Sequence, residues 1–296
     1  MTPLEEAELG GRRVLLKRED THELGSFKWR GALPTLEAYK RKGAETVITA
    51  STGNHGAATA WAAERLGMRV VVFASEGASR TKVEAMERLG AEVRLVGTDF
   101  DEAKDTAERF AAEAGVLFVD GLEREQYEGY STIADEILDQ APEIPAAVVV
   151  PVGNGALLGG IGLGVCRRNP EVERIGVVAK AAPCMAFSWE AGEPVSCETS
   201  ATFADGIAVR VAIPLAVEAL GEVATRMVQV SEREIARAVG AYADAGIRTE
   251  GAAAAALAAI PQLDDVGDPL VLIVTGRNID DDLFRRAREE PESFPD

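Results

Sequence analysis

"TVITASTGNHGAATAWAAERLG", residues 46–67, contains one complete strand-to-helix unit. Thr46 to Ala50 form a short run rich in β-branched residues, which reads as a strand. Ser51-Thr52-Gly53-Asn54-His55 follows as a polar turn of residues that favour helix starts. Beyond it alanines and leucine recur at helical spacing, and Gly67 stands where the helix should end. A strand that turns directly into a helix is the building block of parallel sheets.

The same unit recurs along the chain. "RVLLKRE", "RVVVFAS", "EVRLVG", "VLFVD", "AAVVVPV", "RIGVVAK", "RMVQVS" and "PLVLIVTG" read as further strands. Helical patterns such as "SRTKVEAMERLG" and "DEAKDTAERFAAEAG" lie between them, ending at Gly90 and Gly115. The expected fold class is therefore α/β, with parallel sheets covered by helices on both faces. The closing stretch "REEPESFPD" reads as a frayed acidic tail.

Composition sets the bounds. The 296 residues carry a formal charge of −18, which argues against nucleic acid or an anionic membrane surface as partner. No apolar run reaches the ~18–20 residues of a membrane span. The opening "MTPLEEAELG" lacks the basic and apolar regions of a secretory leader, so a cytoplasmic location is expected. Cys166, Cys184 and Cys197 are odd in number and lack Cys-x-x-Cys spacing. They read as idle or buried thiols rather than a disulfide framework or zinc site, and no metal ligands are assigned.

Ligands of parallel sheets bind where strands end and helices begin, and four such places stand out. In "ELGSFKWRGA", residues 23–32, one of only seven lysines sits between Phe27 and Trp29. Ser26 is expected to cap a helix starting near Phe27, with Lys28 in its first turn. The helix dipole there disfavours a positive charge by ~0.3–1 kcal/mol, less than one pKa unit at ~1.36 kcal/mol. Burial beside the two aromatic rings would add to it, and an amine with a lowered pKa suits Schiff-base formation. A snorkelling surface lysine is the plainer alternative.

The second place is Ser51 to His55, whose hydroxyls and amides offer a carboxylate site at a helix N-terminus. Asn54 can both donate and accept there, and His55 reads as a supporting residue rather than a base. The third is Gly153-Asn154-Gly155-Ala156-Leu157 in "VVVPVGNGALLGGIGLG", where successive amides can cradle a phosphate without a cation. It is neither a P-loop nor a dinucleotide fingerprint, since it lacks Gly-Lys-Ser/Thr and the required glycine spacing. The fourth is Thr275 in "VLIVTGRNID", which could present a neutral hydroxyl to a ring nitrogen.

Taken together, these stretches resemble the fold-type II pyridoxal-phosphate enzymes, which share the architecture of the tryptophan synthase β-subunit. They are most similar to the serine/threonine dehydratases. The resemblance runs from "TPL" at Thr2 to "GRNID" at Asp280 and includes "EGYSTIADEI", "FADGIAV" and "RTEGAAAAALAA". It implies pyridoxal 5'-phosphate as cofactor, with Lys28 as the covalent Schiff-base residue and proton acceptor. Asn54, Glu250 and Thr275 would contact the cofactor, and Gly153, Asn154, Gly155, Ala156 and Leu157 would hold its phosphate. Ser51, Thr52, Gly53, Asn54 and His55 would clamp the substrate, a small amino acid.

The resemblance also implies two parallel-sheet, three-layer domains. A smaller one, residues 43–133, would be inserted in a larger cofactor-binding one, residues 1–42 and 134–296. A homodimer is expected, and the chain leaves no length for a C-terminal regulatory domain. The implied reaction is β-elimination from L-threonine or L-serine, giving a 2-oxo acid and ammonia. Departures from the dehydratase pattern keep a replacement enzyme of the threonine-synthase or cysteine-synthase kind, and an amino-acid racemase, open. Asn154 and Ala156 interrupt the usual glycine run, Thr52 precedes Gly53, Gly251 replaces a familiar proline, and Trp29 is bulky.

Overall fold

A computed structural model describes residues 1–296, which form two compact units. The larger comprises Met1–Phe27 and Tyr130–Asp296, and the smaller Lys28–Gly129.

The larger unit begins with β1 (Leu4–Leu9) and β2 (Arg12–Arg18), an antiparallel pair that sets Leu4 opposite Lys17. Gly10 and Gly11, both at positive φ, make the two-residue turn between them. β1 was not among the expected strands: "LEEAEL" has helix-forming composition, and pairing with β2 overrides that local preference.

The smaller unit follows in sequence. It contains α1 (Trp29–Arg41), β3 (Thr46–Ala50), α2 (Asn54–Leu66), β4 (Arg69–Ala74), α3 (Arg80–Arg88), β5 (Glu92–Leu95), α4 (Phe100–Ala114) and β6 (Leu117–Val119). Its sheet has the order β5-β4-β3-β6 and is parallel throughout. Ile48, Ala50, Val71 and Phe73 from the sheet close on Ala107 and Ala111 of α4, where alanines let the helix come close. On α1, Trp29 meets Trp61 of α2 edge-on, ring centroids 6.2 Å apart. That contact explains why the unit begins at Lys28 and takes in α1, whereas sequence reading placed the boundary after α1, at residue 43. Periodicity marks a helix but not which neighbour buries its apolar face.

After α5 (Arg124–Gln140), within which the second unit boundary falls, the chain completes the larger unit. There follow β7 (Ala147–Pro151), α6 (Ala156–Arg168), β8 (Glu173–Ala179), α7 (Cys184–Ala191), α8 (Pro214–Val223), β9 (Arg226–Val230), α9 (Glu232–Asp244), α10 (Gly251–Ala258), β10 (Leu270–Val274) and α11 (Asp281–Glu289). The sheet order is β1-β2-β10-β7-β8-β9, and every pair but the first is parallel. All residues of β7 and β10 are buried, which explains their unbroken apolar sequences. α10 is buried along its whole length and consists almost entirely of alanine, so it lies close against β7, β8 and β10. β10 and β7 are neighbours, so the turns at their carboxyl ends lie side by side.

The C-terminal stretch does not fray as expected. Phe294 is buried and its ring meets Phe203 at 4.6 Å, while Arg233 donates its N–H to the Pro295 carbonyl and pairs with Asp296. No helix is long and apolar enough to cross a membrane.

Candidate functional site

In the larger unit the candidate groups gather at the carboxyl ends of β10 and β7. Thr275, 2% exposed, directly follows β10, and its hydroxyl has no hydrogen-bond partner. Leaving a buried hydroxyl unsatisfied costs about 1–3 kcal/mol. Its backbone is well used: the Thr275 carbonyl accepts the Phe27 N–H at 3.0 Å, and Gly276 forms an antiparallel bridge with Ser26. Arg277 donates its N–H to the Gly25 carbonyl, and the Asn278 amide nitrogen donates to that of Leu24. Gly25 adopts φ +65°, and a Cβ there would lie 2.5 Å from the Asn278 side-chain oxygen, so only glycine fits.

This stitching corrects the expected role of Ser26. Its side chain caps no helix: α1 starts at Trp29, with Lys28 at the position before it and no side-chain cap. The sequence holds cap-forming residues here, but the segment is used as a strand-like bridge across the end of β10.

Glu250, 3% exposed, immediately precedes α10 and donates its backbone N–H to the Gly276 carbonyl at 3.1 Å. Its carboxylate lies so close to Gly276 that an added Cβ would come within 2.6 Å of Oε1. Next to it, Gly153 faces the Gly206 carbonyl, which an added Cβ would approach to 2.7 Å. Sequence reading noted "FADGIAV" and "TGRN" but gave no role to Gly206 or Gly276. A glycine in a turn was the available signal, yet it does not say which backbone draws near.

Gly153, Asn154 and Gly155 lead from β7 into α6. Gly155, at φ +93°, is the residue before the helix, and Ala156 and Leu157 are its first two. The amides of a helix's first turn have no acceptor within the helix, and no acidic side chain stands in this one. One amide of the expected cradle is already engaged: Ala156 donates its N–H to Asn154 Oδ1 at 3.2 Å. Asn154, seen in the sequence as an interruption of glycines, acts as a local brace.

In the smaller unit, Lys28 is half-buried and its carbonyl accepts the Ala32 N–H at 3.1 Å. Ser51 is buried, and its hydroxyl oxygen accepts the Gly53 N–H at 3.1 Å, shaping the turn before α2. Thr52, Gly53 and Asn54 are half-buried, with Gly53 immediately before the helix and Asn54 its first residue. His55 points its Nε2 at Thr49 Oγ1, 3.1 Å away, and at the Val119 carbonyl, 3.4 Å away. Burial, reinforced by the Lys28 charge, lowers its pKa to about 4. His55 is thus neutral at neutral pH and anchored to the sheet beneath the turn, as a supporting residue would be.

Comparison with known proteins adds an independent line. A family described as pyridoxal-phosphate dependent enzyme matches residues 1–276. L-threonine ammonia-lyase of Thermotoga maritima is 35% identical over 287 residues, covering 95% of this chain and 71% of that protein. The processed form of threonine deaminase isoform 2 from Solanum lycopersicum superposes with a TM-score of 0.90 at 30% identity, over 97% of this chain and 87% of that one. A pyridoxal 5'-phosphate-dependent aspartate racemase is also similar, with a TM-score of 0.85 at 26% identity, over 94% of this chain and 91% of that one.

Proposed function

This chain belongs to the pyridoxal-phosphate dependent enzymes, and we propose that it is an ammonia-lyase for L-threonine or L-serine. The reaction removes water from the amino acid, and hydrolysis of the product releases ammonia and a 2-oxo acid. The observation that carries this reading is the buried, unpartnered hydroxyl of Thr275 at the end of β10. A buried hydroxyl without a partner is what a site for a ring nitrogen requires, and the acid-free first turn of α6 suits the anionic arm of the same group.

Lys28 is assigned the covalent link to the cofactor aldehyde through its ε-amine. The same nitrogen would take the proton from the substrate Cα. Amides of the Gly153–Leu157 turn would hold the phosphate, Asn154 keeping the turn in shape. Thr275 would meet the ring nitrogen, and Asn54 and Glu250 would contact the ring's remaining polar edge. The chemistry the cofactor supplies is a conjugated ring that accepts electron density from Cα as its proton leaves. An uncharged Thr275 does not enforce a positive charge on the ring nitrogen. That would favour prompt loss of the β-hydroxyl once the Cα proton is removed. Ser51, Thr52 and Gly53, with Asn54, would grip the substrate carboxylate, and His55 would hold the turn from behind.

We assign the phosphate and ring-nitrogen contacts to the larger unit, and read the protein as a cytoplasmic homodimer. Its strong negative charge favours solubility.

A substrate panel tests the reaction. L-threonine and L-serine should each yield a 2-oxo acid with an equal amount of ammonia. Phosphate release from O-phosphohomoserine alone would instead mark a replacement enzyme. The likeness to an aspartate racemase supports a second reading, in which the Thr52 hydroxyl would serve the opposite face of Cα. Chiral chromatography of the unreacted amino acid separates it: the D-enantiomer appearing faster than 2-oxo acid would favour racemisation.

A further inference from the structure

Two of the three cysteines, neither of them assigned a role above, come together in the larger unit. Cys184 opens α7 and is fully buried. Its thiol donates to the Val195 carbonyl, 2.9 Å from Sγ. Ser188, one turn further along α7, holds the same segment in place: its hydroxyl donates to the Cys184 carbonyl at 2.8 Å and accepts the Val195 N–H at 2.9 Å. Two residues beyond Val195 comes Cys197. Cys197 is half-exposed, and the Cys184 thiol, bonded to the carbonyl two residues before it, is near enough to feel its charge. Cys197 also donates its N–H to the Arg210 carbonyl at 2.9 Å, and the neighbouring Ser196 bridges Val211. The pair therefore sits at the neck of the 197–210 loop, which carries Gly206 and its contact with Gly153.

We propose that Cys184 and Cys197 form an oxidation site, which a peroxide converts to a disulfide that ties the neck of the 197–210 loop to α7. The exposed Cys197 reacts first. Its sulfur attacks a peroxide oxygen, the O–O bond breaks, and water leaves with formation of a sulfenic acid. The Cys184 sulfur then attacks the Cys197 sulfur, the S–O bond breaks, the Cys184 proton accompanies the departing hydroxide, and a second water is released. One hydrogen peroxide is reduced, and the two sulfurs together lose two electrons. Burial and the neighbouring Cys197 thiol raise the pKa of Cys184, keeping it a thiol and protecting it from direct attack. Such a bond in a reducing compartment would be transient and reversible.

The test uses the cofactor-loaded protein and hydrogen peroxide in small molar excess, followed by alkylation and digestion without reductant. The expected result is loss of two of the three thiols, a single cross-linked peptide pair joining Cys184 to Cys197, and recovery on adding dithiothreitol. Amide hydrogen exchange at Cys197 should slow in the oxidised form. Conversion of Cys197 to sulfinic acid with Cys184 still free, a cross-link through Cys166, or unchanged exchange would each overturn the proposal. Cys197→Ser, changed at a half-exposed position, should fold normally and leave Cys184 unmodified at the same dose. Oxidation of Cys184 there at the wild-type rate would contradict the stated order.

Discussion

The backbone N–H of Phe27 donates to the carbonyl of Thr275 at 3.0 Å. One hydrogen bond thus ties the residue before Lys28 to the residue that closes β10. The bridge between Ser26 and Gly276 and the bond from Arg277 to Gly25 continue the tie. Ser26 and Phe27, just before the proposed covalent lysine, are thereby fixed to the end of a fully buried strand of the larger unit.

The hydroxyl of Thr275 should matter for the cofactor and not for the fold. Thr275→Val keeps the shape and removes the unsatisfied oxygen. The cofactor-free protein should be as stable as wild type or more so, by up to about 1 kcal/mol. Affinity for pyridoxal phosphate should fall roughly fivefold, the worth of one hydrogen bond of ~1 kcal/mol. A visible-absorbance titration and a thermal melt of the cofactor-free protein measure both quantities; unchanged affinity would remove Thr275 from the site.

Gly153→Ala should weaken the phosphate cradle. Its Cβ would lie 2.7 Å from the Gly206 carbonyl, a backbone atom that cannot swing aside. Overpacking of this kind costs about 1–3 kcal/mol, and the displaced turn should bind cofactor less tightly. Gly221→Ala is the control: it lies in α8 with nothing within 4 Å of the new Cβ, so it should stabilise the helix by up to ~1 kcal/mol. Equal cofactor affinity in the two variants would contradict the assignment.

Gly276→Ala should act through Glu250. The added Cβ would lie 2.6 Å from Oε1, so the carboxylate must move. Lower activity is expected even where the melting temperature falls only slightly. Gly276→Ala,Glu250→Ala should melt higher than Gly276→Ala, because the clash is relieved, without recovering activity. Recovery of full activity in the double variant would exclude Glu250 from any contact with the cofactor.

His55 gives a signed pH dependence. Its pKa in the folded chain is about 4, below the ordinary 6.5, because burial and the Lys28 charge disfavour the imidazolium. The unfolded chain therefore takes up a proton first as pH falls. The stability contributed by neutral His55 is fully present above pH ~6.5 and is lost progressively as pH drops toward ~4. His55→Gln should flatten that part of the stability curve measured by urea titration at a series of pH values. A curve of unchanged slope would show that His55 is not the group responsible.

Much of the architecture was legible because parallel strands announce themselves. Nine of the ten strands were legible from short runs of aliphatic and β-branched residues, and Thr46 to Gly67 alone spells out one repeat. β1 was not legible, since "LEEAEL" becomes a strand only by pairing with β2. The neighbour order β1-β2-β10-β7-β8-β9 was hidden too, because it depends on contacts remote in sequence. The candidate turns were found through residue type: Thr275, Gly153 to Leu157 and Ser51 to His55. What could not be read was how those residues are used locally. Ser26 looked like a helix cap and serves as a strand bridge; Ala156 looked like a free amide and is taken by Asn154. Both outcomes depend on which backbone groups a neighbouring segment leaves open. That is also why Gly206, known only as part of "FADG", gained meaning once its carbonyl was seen against Gly153.

The most direct test is Lys28→Ala, assayed with L-threonine and L-serine after incubation with pyridoxal phosphate. Wild-type protein should be yellow, and borohydride should bleach it and leave a stable adduct on Lys28. The variant should form no reducible adduct at residue 28 and lose turnover by at least about 10²–10⁴-fold, the range expected for a positioned proton acceptor. Undiminished 2-oxo acid formation by the variant, from either amino acid, would contradict the account.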